Sequence, residues 1–202
     1  MQNISKSFFG VRVLFDVNFS VRRGEVHALL GENGAGKSTL TKILSAVYRK
    51  ESGEIILDGK PLVNNSPSKS IQAGVSVVYQ ELNMIPDLPI YENVFIGKEF
   101  TKGICFDRKR QMQETQRYLD IVGLKVDPRT LVGSLSIAQQ QMVEIAKAIS
   151  NNAKVLVLDE PTASITDKEV EILFKTIKEL RANGMGIIYI SHRMAELFEI
   201  GD

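Results

Sequence analysis

Apolar residues in this chain fall into short dense runs separated by longer stretches in which apolar and charged positions recur every three or four residues. Runs at 25–30, 55–58, 75–79, 155–158 and 187–190 have the length and β-branched content of strands. They alternate with stretches of helical periodicity near 37–47, 107–122, 137–150 and 167–182. Strand and helix in alternation predict an α/β architecture with a mostly parallel central sheet. Residues 1–25 instead alternate apolar and polar, with Val11, Val13, Phe15, Val17 and Phe19 on one side, which predicts an antiparallel piece packed beside that core. Residues 82–134, punctuated by Pro86, Pro89 and Pro128, read as a helical insertion. There is no internal repeat and no low-complexity linker.

Two of the runs end in chemistry. Val26 to Leu30 leads directly into Gly31-Glu32-Asn33-Gly34-Ala35-Gly36-Lys37-Ser38-Thr39, a glycine-rich turn that opens a helix. Glycines let backbone N–H groups turn inward on phosphates, the helix start presents its positive end, and Lys37 adds a full charge. Ser38 is placed to hold a magnesium ion. The second run, Val155-Leu156-Val157-Leu158, delivers Asp159 and Glu160, the pattern of a buried parallel strand carrying acids to the C-terminal edge of a sheet. Asp159 suits a magnesium–water contact and Glu160 a general base. A solvated turn is the competing reading for adjacent acids, but such turns rarely follow four apolar residues.

Composition bounds the remaining classes. The 202 residues, 44% of them hydrophobic, suffice for one substantial core. A formal net charge of +1 and no basic run leave no electrostatic footprint for nucleic acid or anionic lipid. No apolar stretch approaches the roughly 20 residues a membrane-spanning helix needs, and no signal peptide is evident, so the expectation is a cytoplasmic chain or one held at a membrane by a partner. The single cysteine, Cys105, has no internal partner, and no Cys/His grouping has zinc spacing.

Further phrases complete an ordered set: Gln80-Glu81-Leu82-Asn83, Leu135-Ser136-Ile137-Ala138-Gln139, Gln141-Met142-Val143-Glu144-Ile145-Ala146-Lys147, Ser164-Ile165-Thr166-Asp167 and Ile190-Ser191-His192-Arg193-Met194. With the phosphate loop and the Asp159-Glu160 strand, this order resembles the ATP-binding subunit of ABC transporters over nearly the whole chain. The phrases are most similar to those in the N-terminal ATPase domain of tandem bacterial monosaccharide importers of the ribose, galactoside, xylose and arabinose type. The resemblance implies a P-loop NTPase fold with a helical subdomain at approximately 82–150, ATP and Mg2+ as ligands, and a second ATPase domain. It also implies transmembrane permease subunits, an extracytoplasmic sugar-binding protein in the complex, and a peripheral position on the cytoplasmic face of the membrane. Since the family polypeptide carries two such domains, the expectation is that residues 1–202 are one domain, cut short at both ends and weakly active alone.

Residue by residue, the resemblance implies that Glu160 orients and deprotonates the attacking water while His192, directly after an apolar run, contacts the γ-phosphate. It implies that Gln80 contacts metal or water and senses the permease, and that Phe8, favoured over Phe9, stacks on adenine. For either phenylalanine core packing competes, and His27, mid-strand and outside any motif, reads as structural. Leu135 to Gln139 forms the signature loop that serves the nucleotide of the opposite domain. Here Ile137 and Ala138 stand where the family pattern has two glycines, so phosphate contact should be poorer, and the implied transporter has one competent and one degenerate site. Thr166 followed by Glu169 also spells a capping box for a helix beginning near Asp167. Three other readings are weaker. A translation or DNA-maintenance ATPase should carry basic insertions or coiled-coil arms. A P-loop kinase leaves Gln80, Ser136 and His192 unexplained. A non-hydrolysing nucleotide binder is separated by turnover.

Overall fold

The computed structural model describes residues 1–32, 34–63 and 66–201. Two strands, β1 (Gln2–Phe8) and β2 (Val11–Val17), pair antiparallel, and β1 also pairs with β4 (Ser52–Glu54). Between them in sequence come β3 (Val26–Leu29) and α1 (Lys37–Leu44). A small antiparallel hairpin of β5 (Ile56–Leu57) and β6 (Lys60–Pro61) precedes α2 (Pro67–Ala73) and β7 (Val75–Val78). Then follow α3 (Ile90–Phe95), a second hairpin of β8 (Thr101–Lys102) and β9 (Cys105–Phe106), α4 (Arg108–Ile121) and α5 (Ile137–Ile149). The chain closes with β10 (Val155–Asp159), α6 (Asp167–Ala182), β11 (Gly186–Ile190) and α7 (Met194–Ile200).

The central sheet has the order β3-β11-β10-β7, and each neighbouring pair is parallel. Side chains alternate across a strand, so β10 sends Leu156 and Leu158 to one face and Val155 and Val157 to the other. Leu156, Leu158, Ile187 and Tyr189 join a core with Met142, Ile145, Phe174 and Ile177 of α5 and α6. Val155, Val157, Ile188 and Ile190 join a second core with Leu40 and Ile43 of α1 and Ile4 and Leu14 of the antiparallel piece. A strand covered on both sides has no solvent face, which is why its sequence is continuously apolar rather than alternating.

The expected strand at 55–58 is the clearest departure. It exists only as Ile56–Leu57, pairs antiparallel with Lys60–Pro61, and lies outside the central sheet. Asp58 and Gly59 both have positive φ, so the chain turns back immediately and cannot extend into a parallel strand. The antiparallel pair at the N-terminus is present, and of the expected face Val17 and Phe19 pack against the second core, but Val11 and Phe15 do not. Val11 and Phe15 are 66% and 63% exposed, whereas Leu14 is 5% exposed and packs in the core. Register shifts in β1 around Lys6 and a left-handed Asp16 break the simple alternation. Within 82–150 the structure contains α3, α4 and α5 packed on one another, and also the β8–β9 hairpin. Short helices α2 and α7 were not anticipated: α2 has Pro at its first turn and Ser66 as cap, but only seven residues of weak periodicity.

Leu156 is fully buried at the centre of the sheet. Leu156→Ala should therefore cost about 2–5 kcal/mol, seen as a lower urea midpoint with unchanged slope.

Candidate functional site

All four strands of the central sheet point the same way, so the loops that follow them emerge along one edge. Across that edge Leu29 pairs with Ile190, Ile190 with Asp159, and Leu158 with Val78. Beyond these positions, in order, lie the Gly31–Thr39 loop, Ser191-His192, Glu160 and Gln80. Segments far apart in sequence are thus gathered side by side, and β3 and β7, widely separated in the sheet, form the outer walls.

The glycine-rich loop bends through Gly36, which caps α1 with φ 92°. A Cβ there would sit 2.7 Å from Leu14 Cδ2 and 3.2 Å from the Val13 carbonyl, so β2 and the helix start can approach only with glycine between them. Lys37, the first residue of α1, reaches back over its own loop and donates to the carbonyl oxygens of Gly31 and of Glu32, the latter at 3.0 Å. Gly34, Ala35 and Ser38 are exposed along this loop, with Thr39 half-buried. Asn33, expected to join them, lies outside the described residues.

Asp159 ends β10 half-buried. Burial, followed by the charge of Glu160, raises its pKa above the ordinary 3.8, while Lys37 and Lys42 pull it back. Glu160 adopts a left-handed backbone with φ 49°, uncommon for a residue with a side chain. Its N–H donates to the Ile190 carbonyl at 2.9 Å, which extends the β10–β11 ladder one step. The result is a carboxylate aimed across to the neighbouring loop, where His192 Nδ1 lies 3.3 Å from Glu160 Oε1. The imidazole is largely exposed and the carboxylate largely covered.

Gln80 is exposed just past β7. The segment after it is held from a different direction: Glu144 of α5 accepts the Asn83 N–H at 2.9 Å, and Lys147 donates to the Asn83 carbonyl at 3.1 Å. The other end of α5 is Ser136, whose hydroxyl accepts the Gln139 N–H while Gln139 Oε1 accepts the Ser136 N–H. This reciprocal cap was legible as Ser-x-x-Gln but was not used as a helix signal. Leu135 and Ala138 are buried and Ile137 is 48% exposed, on the first turn of the helix. The capping box expected at Thr166 is present, with Glu169 accepting from the Thr166 N–H and hydroxyl.

Phe8 is half-buried, its ring 5.2 Å from that of Tyr48 in an edge-on contact, with Lys6 above it; Phe9 is fully exposed on the following turn. His27 lies 3.0 Å from Glu25 through Nδ1 and packs edge-on against Phe19, a structural histidine away from the loop edge. A further residue escaped the sequence reading. Glu196 of α7 is buried and accepts bonds from hydroxyls of Thr162, Tyr189 and Ser191. Only its place three residues after Arg193, on the first turn of α7, could have signalled it.

The sheet order, the glycine-rich loop between β3 and α1, and the acids at the end of β10 define a P-loop nucleotide-binding protein. The family model for ABC transporters matches residues 14–163, and the chain belongs to that family. It is 49% identical over its whole length to the ribose import ATP-binding protein RbsA of Chromobacterium violaceum. It is 46% identical to the galactose/methyl galactoside import ATP-binding protein MglA of Salmonella typhimurium. In each case the chain spans 40% of the relative's length. A nucleotide-free ATP-binding cassette from an ABC transporter superposes with a TM-score of 0.88 at 26% identity, covering 100% of this chain and 83% of that one. The ADP conformation of MJ1267, an ATP-binding cassette of an ABC transporter, gives 0.87 at 27% identity with the same coverage.

Because the folded state raises the Asp159 pKa, it holds that proton more tightly than the unfolded chain does. Its contribution therefore turns unfavourable as pH rises above the ordinary value. Asp159→Asn should raise the melting temperature of the nucleotide-free protein at about pH 7, and the gain should vanish below about pH 4 in thermal scans at graded pH.

Proposed function

We propose that this chain is the ATP-binding and ATP-hydrolysing motor domain of an importer that moves a monosaccharide through a membrane permease. The observation that carries this reading is the Glu160–His192 pair at 3.3 Å, on the same sheet edge as the Gly31–Thr39 loop and Gln80. Its relatives' names, import ATP-binding proteins for ribose and for galactosides, support the sugar class.

In this reading Lys37, the N–H groups of the loop and the start of α1 cradle the β- and γ-phosphates of ATP, and Phe8 stacks on the base. Ser38, Asp159 and Gln80 offer oxygen donors only, a set that suits Mg2+. Asp159 acts through a water. The partial desolvation and like-charge repulsion that raise its pKa are relieved by a cation. When bound, the ion supplies charge neutralisation at the phosphate oxygens. Glu160 orients a water in line with the γ-phosphorus and accepts its proton. His192, beside that carboxylate, contacts the γ-phosphate and keeps donor, water and base in one arrangement. Most of the barrier reduction comes from this positioning and from Lys37's charge.

Residues 82–150 serve as the helical subdomain that meets the permease, with Gln80 and Asn83 at its junction with the sheet. Leu135 to Gln139 faces the nucleotide of a second ATPase domain in a tandem chain. Ile137 and Ala138 in place of glycines make that facing site the weaker one. An extracytoplasmic sugar-binding protein completes the complex, and the domain sits peripherally on the cytoplasmic face. No helix among the described residues is long and apolar enough to cross a membrane; in this reading the permease is what holds the domain there.

Lys37→Ala should weaken Mg-ATP binding about ten- to hundredfold, the loss of one bond to a charged group, with the fold intact by circular dichroism. Calorimetry checks this, and unchanged affinity removes Lys37 from the site. Glu160→Gln in the assembled transporter should slow hydrolysis on the order of 10²–10⁴-fold while ATP binding persists. Normal turnover in that variant would assign the base elsewhere.

A further inference from the structure

Glu196 is 7% exposed on α7, yet among the described residues it carries more hydrogen bonds than any other carboxylate near the sheet edge. Its Oε2 accepts from the hydroxyls of Thr162 at 2.9 Å, Tyr189 at 3.0 Å and Ser191 at 2.8 Å. Its Oε1 accepts from the Arg193 guanidinium at 3.2 Å. Ser191 uses its hydroxyl twice, donating to Glu196 and accepting the Arg193 N–H at 3.0 Å. The turn that carries His192 is thereby closed on both sides of the histidine. Thr162 lies two residues beyond Glu160 and is itself 2% exposed.

An ionised carboxylate only accepts, so all three hydroxyls must direct their hydrogens toward it, and each loop has one orientation that satisfies it. Glu196 is buried while its partner Arg193 is 46% exposed, so the pair gains little net stability from its charge, and its best use is to select one geometry. That geometry is the one Glu160 requires. Its left-handed backbone is strained and persists only where neighbours on both sides fix it. The Ile190 carbonyl fixes one side, and the Thr162–Glu196 bond fixes the other.

We propose that Glu196 is a positioning residue for hydrolysis: it locks the loops after β10 and β11 together so that Glu160 and His192 address the same γ-phosphate. This rests on the reading of the site given above. Glu196→Gln keeps the volume but must turn its amide N–H2 either toward Arg193, which has no acceptor, or toward the hydroxyls, which would have to reverse their donation and give up the present arrangement.

The test uses the full-length polypeptide assembled with its permease, measuring kcat, Mg-ATP affinity and a double-mutant cycle with His192→Ala. Expected are a fall in kcat of about tenfold or more for E196Q, with affinity held within about threefold, and little further loss when E196Q is added to H192A. Should E196Q fail to fold, Thr162→Val and Ser191→Ala each delete one hydroxyl and carry the same cycle. Losses that multiply in the double variant, or affinity falling in step with kcat, overturn the proposal in favour of a merely structural role. If the wild type does not hydrolyse ATP, or H192A matches it, the reading of the site fails and this proposal with it. If only the cycle is additive, the site reading stands.

Discussion

The pairing of β10 with β11, buried on both faces, is the constraint from which the site follows. Val155 to Leu158 and Ile187 to Ile190 are in register, so Asp159 and Ile190 reach the edge at the same height. The ladder then runs one bond further through the N–H of Glu160, which holds a left-handed conformation at the strand's end. A shift of one residue would exchange the two cores' side chains and turn Glu160 away from His192. Packing against α5 and α6 on one side and α1 on the other makes such a slip prohibitive.

Electrostatics at the edge are arranged in opposition. Asp159 and Glu160 crowd two carboxylates at the end of one strand, and the partial burial of Asp159 makes its ionisation costly. Lys37 and the start of α1 concentrate positive charge two strands away in the sheet, on the far side of β11.

A second linkage runs through α5. That helix begins at Ser136, self-capped by Gln139, and along its length Glu144 and Lys147 grip the backbone of Asn83 on both its N–H and its carbonyl. The loop after Gln80 and the loop that faces outward at Ser136 are therefore attached to one rigid element. Asn93 adds to this grip, bonding the N–H and carbonyl of Ile85 and the carbonyl of Leu88.

Local chemistry in the sequence determined the class of the fold, the glycine-rich loop, the acids closing β10, and the helix starting at Asp167 with its cap at Thr166. Each of these depends on neighbours within a few residues: a buried strand must be apolar throughout, and a turn against phosphate needs glycine. The strand at 55–58 and the Val11 and Phe15 part of the expected β2 face failed because turns at Asp58 and Asp16 reverse or shift the chain, and hydropathy does not register a positive φ. Asn83 with Glu144, and Glu196 with Thr162, Tyr189 and Ser191, join side chains across elements, so no local pattern announced them. Sequence named the candidate groups, whereas the parallel sheet alone set their order along one edge. The hydrogen bonds that hold them there form only once distant strands have paired.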